Sequence, residues 1–141
     1  MTAISRRLLC LGLASAWVGV ARPAWAGSYL NRAALLLRNA LQEADYLRAR
    51  VNDLELARIV HQLAQTRLDA AGRMTVPKEV VQAHPHLLMV LENFERSALA
   101  AEEGKVERFL VYHQRALDED RTFRSVLKQL GWSLPEKGGR A

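Results

Sequence analysis

The chain has few residues that interrupt or cross-link a fold: one cysteine, eight glycines and four prolines among 141 residues, of which 6% are aromatic. So little glycine and proline excludes a collagen-like or low-complexity chain and favours a single small globular domain. The one cysteine, Cys10, lies near the N-terminus. Residues 27–141 therefore contain no disulfide, thiolate metal site or cysteine nucleophile.

The net charge of +5 comes mostly from the N-terminal segment. Residues 1–26 contain Arg6, Arg7 and Arg22 and no acidic residue, which leaves 17 basic and 15 acidic residues in 27–141. A nucleic-acid interface usually needs a clustered basic stripe, whereas here both signs alternate along the chain. We therefore predict no nucleic-acid partner.

The first 26 residues have the three-part layout of an export signal. Residues 1–7 are basic, residues 8–20 are apolar, and Ala24-Trp25-Ala26 is a small-x-small cleavage site followed by Gly27. The apolar run is shorter than the roughly 20 residues that span a bilayer. The pattern predicts cleavage after Ala26, a periplasmic or secreted mature chain, and no stable membrane anchor after cleavage.

Residues 5–9 of this segment read Ser-Arg-Arg-Leu-Leu. They resemble the twin-arginine export consensus, with Leu9 in place of phenylalanine, while Cys10 and Leu11 depart from the expected leucine and lysine. The resemblance implies that the chain folds before it crosses the membrane, which raises the prospect of a cofactor or folded partner. The general secretory route is the alternative.

Residues 29–71 contain no glycine or proline and are rich in strong helix formers. Apolar or small residues recur there at steps of three and four, which is typical of a helix packed lengthwise on others. The members of this seam are Leu30, Ala34, Leu37, Ala40, Ala44, Leu47, Val51, Leu54, Ala57, His61, Ala64, Leu68 and Ala71. We predict one continuous helix that ends at a left-handed Gly72. A break near Asn52, which has capping-box spacing with Glu55, is the alternative.

Three further helices are predicted after residue 72. Thr75 is a candidate N-cap for a short helix over 76–83, and His84-Pro85-His86 then separates it from a helix that ends at Gly104. The last helix, over 105–130, ends at Gly131, and Trp132 is placed to fold back on its final turn. Residues 135–141 are predicted to be a flexible tail. The fold class is therefore all-α: an antiparallel bundle of three to four helices over residues 27–134, with a long first helix.

The predicted lengths suggest two different architectures. An unbroken helix over 29–71 would be about 65 Å long, whereas 76–103 and 105–130 reach about 42 Å and about 39 Å. About 20 Å of the first seam would then project without a partner in the chain. A break near Asn52 would instead close a compact four-helix bundle.

Histidine is the residue type to test for metal or haem binding. No histidine after residue 26 has another histidine or an acidic residue three or four positions away, so the Glu-x-x-His and His-Glu-x-x-His metal motifs are absent. His61 and His113 nevertheless lie on inward seams. We predict hydrogen-bonded core histidines at both positions, and a haem or metal ligand, with Met89 as a second soft ligand, is the alternative. His84 and His86 are expected to be a capping residue and a surface residue.

Catalysis by side chains alone has little support. No serine lies in a nucleophile elbow, and Glu92 and Asp120 each have an arginine four residues later, as on a solvated helix face. We predict no enzyme. The function expected is an exported soluble interaction or structural module, whose long N-terminal helix serves a protein partner or a homodimer. The alternative is a small haem- or metal-binding bundle for electron transfer or sensing, with His61 or His113 as ligand.

Overall fold

The computed structural model describes residues 24–135, and these form four helices and no strand. The helices are α1 (Ala24–Arg48), α2 (Leu54–Gly72), α3 (His84–Glu102) and α4 (Val106–Gln129). The predicted all-α bundle is confirmed. Most of the predicted export signal (1–23) and most of the predicted tail (136–141) lie outside the described residues. None of the described helices combines the length and apolar character that a bilayer-crossing segment needs.

The preferred single helix over 29–71 is wrong, because α1 and α2 are separate. Residues 49–53 form consecutive turns, and the N–H of Asp53 donates to the carbonyl of Arg50 over 2.9 Å. Asp53 is the N-cap of α2, since its backbone is extended and its side chain accepts the N–H of Leu56 over 3.0 Å. Folding back lets α2 pack on α3 instead of projecting. One cost is that the predicted seam residue Leu54 is half exposed.

The predicted short helix over 76–83 is also wrong, since this segment is a run of turns. Its bonds join residues three apart: the N–H of Val80 donates to Pro77 and the N–H of Ala83 donates to Val80. Val80 and Ala83 are fully buried and anchor the segment on the main core. Proline at position 85 disfavours helical geometry in the residue before it, yet α3 begins at His84, with the proline in its first turn.

Two of the three predicted glycine stops are correct. Gly104 and Gly131 have φ of 73° and 83°, the left-handed conformation that glycine adopts without strain. After Gly131, the N–H of Trp132 donates to the carbonyl of Leu127 over 2.9 Å. The side chain of Trp132 packs on the core, as predicted. Gly72 is instead the last residue of α2, and the C-cap residue Arg73 has a right-handed conformation.

The core consists of two clusters of buried residues. The larger part contains Tyr29, Leu87, Phe123 and Leu127, all fully buried, and it joins α1, α3 and α4. The smaller part, around Phe109, lies near the turn between α1 and α2. Each such aromatic or leucine side chain stabilises the fold by roughly 1.5–3 kcal/mol. Buried alanines fill most of the remaining seam positions and allow the helices to approach closely.

α3 is the central helix, because it has the most extensive contacts, with α4 and then with α2. Short links join α1 to α2 and α3 to α4, so each pair is antiparallel. α1 makes less extensive contacts with α2 and α3 than α3 makes with α2 and α4. This arrangement leaves the outer sides of α1 and α2 facing solvent.

Candidate functional site

His61 lies on α2 between two glutamates of α3. Its Nε2 is 2.7 Å from Oε1 of Glu95, and its Nδ1 is 2.7 Å from Oε2 of Glu102. The imidazole is 12% exposed, and the two carboxylates are 17% and 27% exposed. Arg58 adds a longer contact, since its Nε lies 3.6 Å from the second oxygen of Glu102. The cluster joins α2 to α3.

This geometry determines which chemistry His61 can perform. Ionised carboxylates only accept hydrogen bonds, so two carboxylate neighbours require both ring nitrogens to donate. With both ring nitrogens facing carboxylate oxygens, His61 offers no nitrogen to a further ligand, and it links α2 to α3. The hydrogen-bonded state predicted for it is present, although its partners are side chains 34 and 41 residues away.

His113 is buried among aromatic rings on α4. It is 3% exposed, its ring contacts Phe94 edge-on at 5.9 Å between centroids, and it lies 5.5 Å from Phe109. Within residues 24–135 neither of its nitrogens has a hydrogen-bond partner, so the hydrogen bond predicted there is not found. Burial lowers the pKa of His113, Arg48 lowers it further, and Asp45 acts in the opposite direction. The imidazole is therefore held neutral.

The residues around the two histidines do not fit a haem or a metal ion. His61 has both nitrogens engaged, and His113 is closely flanked by Phe94 and Phe109. Met89, considered as a second ligand, is 43% exposed on the opposite, solvent-facing side of α3 from the buried Phe94. Among the described residues, no three His, Asp or Glu side chains are grouped so as to hold a metal ion.

The other two histidines also contact side chains from another helix. His84 is not a cap, because Ala83 occupies the N-cap position and makes no side-chain capping bond. Nδ1 of His84 instead accepts a hydrogen bond of 3.0 Å from the hydroxyl of Tyr29. Nδ1 of His86 lies 3.2 Å from a carboxylate oxygen of Glu119 on α4. Both contacts hold the start of α3 in place.

A surface groove of about 460 Å³ runs between α3 and α4 beside Met89. Its acidic groups all have partners: Glu92 pairs with Arg96 over 2.5 Å, Asp118 pairs with Arg121 over 2.7 Å, and Glu119 lies 3.2 Å from His86. The predicted pairing of Glu92 with Arg96 is thus confirmed. Asp120 does pair with Arg124 over 3.0 Å, but the solvated face predicted for Asp120 is wrong, because this residue is buried. The groove has the character of a solvated ion-pair face.

Large apolar side chains are exposed on the outer sides of α1 and α2. Leu35 and Tyr46 of α1 are 51% and 53% exposed, and Ile59 and Leu63 of α2 are 51% and 46% exposed. Leu35 and Tyr46 are three helical turns apart and share a face, and Ile59 and Leu63 are one turn apart. We call these four residues the α1–α2 outer face. The guanidinium of Arg50 lies over the Tyr46 ring at 3.9 Å.

Exposed apolar residues on α4 are arranged differently. Val111 is 49% exposed, but the residues three and four positions away on either side are Glu107, Arg108, Gln114 and Arg115. Its neighbour Leu110 points about 100° away around the helix. Val111 is thus a single apolar residue in polar surroundings, which is common on protein surfaces. Ile59 and Leu63 on α2 differ in forming an apolar pair one turn apart, whereas Leu35 on α1 has only polar residues three and four positions away.

Comparisons with protein-family models, with curated proteins and with solved structures find no match to this chain. The class of the protein is therefore defined by its fold, a four-helix bundle, and the candidate site by its exposed apolar face.

Proposed function

We propose that this chain is an exported helical-bundle module that binds another protein through the α1–α2 outer face. The observation that carries the proposal is the exposure of Leu35, Tyr46, Ile59 and Leu63, each about half accessible. Exposed large apolar side chains cost free energy in water, and where several lie on one side of a folded protein they commonly mark an interface. Aromatic residues such as Tyr46 are enriched at such interfaces.

The proposed surface lies in the part of the chain, residues 29–71, in which the sequence predicted a partner surface, but on a different side of its helices. A projecting helix would have offered its unpartnered seam to a partner. In the compact bundle that seam is largely inside, with Ala57, Ala64 and Ala71 buried. The surface left for a partner is the opposite side of both helices. Export rests on the layout of residues 1–26, which lie mostly outside the described residues, and it remains part of the proposal.

Side-chain chemistry at the histidines supports binding over catalysis. His61 is engaged on both nitrogens, and His113 is buried at 3% exposure. Neither offers a reactive nitrogen to solvent, and each carboxylate of the α3–α4 groove is already paired with a basic side chain. The cofactor-binding alternative requires a histidine with room on one side for a ligand, and the packing favours neither candidate.

Site-specific photo-crosslinking in cells that export the chain tests this proposal. A photoreactive phenylalanine analogue replaces Ile59 in one variant and Val111 in the control, two sites of nearly equal exposure, 51% and 49%. We expect covalent protein adducts from position 59 and not from position 111. Equal yields at the two positions, or none at either, would overturn the proposal.

A further inference from the structure

α2 has a second line of apolar and small residues on the side that faces solvent. Its members recur at steps of three and four, and we call them the α2 outer stripe: Leu56, Ile59, Leu63, Thr66 and Ala70. All are exposed except Leu56, which is half-buried at the edge of the smaller part of the core. The hydroxyl of Thr66 already donates to the carbonyl of Gln62 over 3.1 Å. This spacing is typical of a helix that packs lengthwise on another helix.

The exposed charged residues of α2 alternate in sign about the centre of this stripe. Between residues 54 and 73 they are Glu55, Arg58, Asp69 and Arg73. Glu55 and Arg73 are 18 residues apart, which is five full turns, so they lie on one side of the helix about 27 Å apart. Their midpoint is residue 64, and the midpoint of Arg58 and Asp69 is half a residue earlier. Each charge therefore has its opposite at the same distance from the centre of the helix.

Most of these charges are free to meet a partner. Within residues 24–135, Glu55, Asp69 and Arg73 have no ion-pair partner. Arg58 has one contact, 3.6 Å from its Nε to Glu102, and its side chain is 65% exposed. The charge pattern along α2 is therefore available to a second molecule.

The neighbouring surface of α1 places an aromatic ring beside the stripe. Glu43 of α1 pairs with Arg67 of α2 over 2.6 Å, which sets the level of the two antiparallel helices. Tyr46 is three residues further along α1, so it lies level with the centre of the stripe, and Arg50 lies over its ring. Asp45 is about 200° around α1 from Glu43, on the side away from α2. A partner on the stripe thus lies beside Tyr46 and away from Asp45.

Building on the proposed function, we propose that the protein bound at this surface is a second copy of the chain, with the two α2 helices packed antiparallel across a two-fold axis beside Leu63. In a two-fold interface both copies use the same residues, so the spacing is identical on the two sides. Reversal of the second helix brings Glu55 opposite the other copy's Arg73, and Arg58 opposite its Asp69. A parallel pairing would place each charge against its own kind, which like-charge repulsion disfavours.

The expected contact is small, and its size determines how it must be measured. α2 has 19 residues and is about 28 Å long. A single pair of such helices covers less surface than a stable interface of standard size, which is typical of a weak dimer. The stripe residues supply the apolar centre of the interface, and the charged pairs at its ends select the antiparallel direction.

Sedimentation velocity on the protein purified from its exporting cells measures the dimer directly. At concentrations up to about 100 μM we expect the mass to rise from one chain to two. Leu63→Glu places two glutamates beside the two-fold axis and should weaken the dimer at least about tenfold, whereas Val111→Glu on α4, at a site of similar exposure, should not. A wild-type protein that stays a single chain throughout, or equal effects of the two variants, would overturn the inference.

A charge exchange within one chain tests the antiparallel direction. Glu55→Arg brings two arginines together at both ends of the dimer, and Arg73→Glu brings two acids together there. We expect each variant to weaken the dimer about tenfold. The double variant restores opposite charges, so its dissociation constant should return to within about threefold of the wild type, a rescue that a misfolded chain does not show. Single variants without effect, or a double variant as weak as either, would contradict the antiparallel α2 contact.

The crosslinking experiment above separates the two proposals. An adduct at position 59 with the mass of two chains supports both. An adduct of any other mass retains the proposed function and overturns the inference of a second copy. Absence of an adduct overturns both.

Discussion

The hydroxyl of Tyr29 donates a hydrogen bond of 3.0 Å to Nδ1 of His84 and so ties the start of α1 to the start of α3. Burial raises the pKa of Tyr29, which keeps its hydroxyl protonated and able to donate. Burial also lowers the pKa of His84, which favours the neutral imidazole. In the neutral tautomer that carries its proton on Nε2, Nδ1 is able to accept.

Removing this hydroxyl should destabilise the bundle modestly. The Tyr29→Phe variant leaves Nδ1 of His84 partly buried without its donor, and we expect the free energy of unfolding to fall by about 1 kcal/mol. Urea denaturation at pH 8, where the imidazole is neutral, measures the change. The exposed Tyr46→Phe variant is the control and should unfold like the wild type. Equal losses in the two variants would show that the bond contributes nothing specific.

The buried His113 should make stability depend on pH. Its pKa is lowered in the folded state, so the unfolded chain binds the proton first as the pH falls. This contribution to stability is complete above the ordinary histidine pKa of about 6.5 and is lost as the pH falls below that value. We expect the His113→Leu variant to lose less stability than the wild type between pH 8 and pH 5.

The same variant tests the unpaired ring nitrogens of His113. Leucine removes two buried polar atoms that lack partners, so His113→Leu should raise the free energy of unfolding at pH 8 by about 1 kcal/mol. The His113→Gln control keeps a buried polar group and should give no such gain. A loss of more than about 1 kcal/mol in the leucine variant would mean that a water molecule or ligand satisfies the imidazole.

The link formed by His61 should be worth more than an exposed ion pair. In His61→Gln, Glu95 and Glu102 lose their shared hydrogen-bond partner, and we expect the free energy of unfolding to fall by about 2 kcal/mol because these groups are largely buried. The Arg58→Gln control removes only a 3.6 Å contact of a side chain that is 65% exposed, and its loss should be below about 0.5 kcal/mol. Similar losses in both variants would contradict the bridging role.

The left-handed turn at Gly131 should resist substitution. Its φ of 83° strains any residue with a Cβ, so Gly131→Ala should lower the free energy of unfolding by about 1 kcal/mol. Gly72 is the matched control because it lies in α2 with no positive φ, and Gly72→Ala should be neutral or stabilising by a few tenths of a kcal/mol. Thermal unfolding of the two variants side by side compares them, and a loss at both positions would contradict the assignment.

Local signals predicted much of this fold. The spacing of apolar residues indicated the helices, and the stops at Gly104 and Gly131 followed from the conformation that only glycine adopts easily. The break before Asp53 was given as the alternative because the seam continues through it. The packing of α2 on α3 explains why the chain turns before Asp53. The periodicity of one segment contains no information about packing between helices.

The candidate site was less predictable for the same reason. The positions of His61 and His113 on inward faces followed from their spacing. The glutamates beside His61 did not, because they belong to α3 and are brought there only by the packing of two helices. The outer face of α1 and α2 was also hidden, since a single helix shows which residues face outward only after its neighbours are placed.

The order of the helices has a kinetic consequence. The most extensive packing joins α2 to α3 and α3 to α4, which are consecutive in sequence, so most of the contacts are local. Topologies dominated by local contacts fold within microseconds to milliseconds, far faster than a chain is synthesised. Residues 5–9 resemble the signal of an export pathway that accepts folded proteins. For such a pathway, folding of this chain would not limit the rate of export.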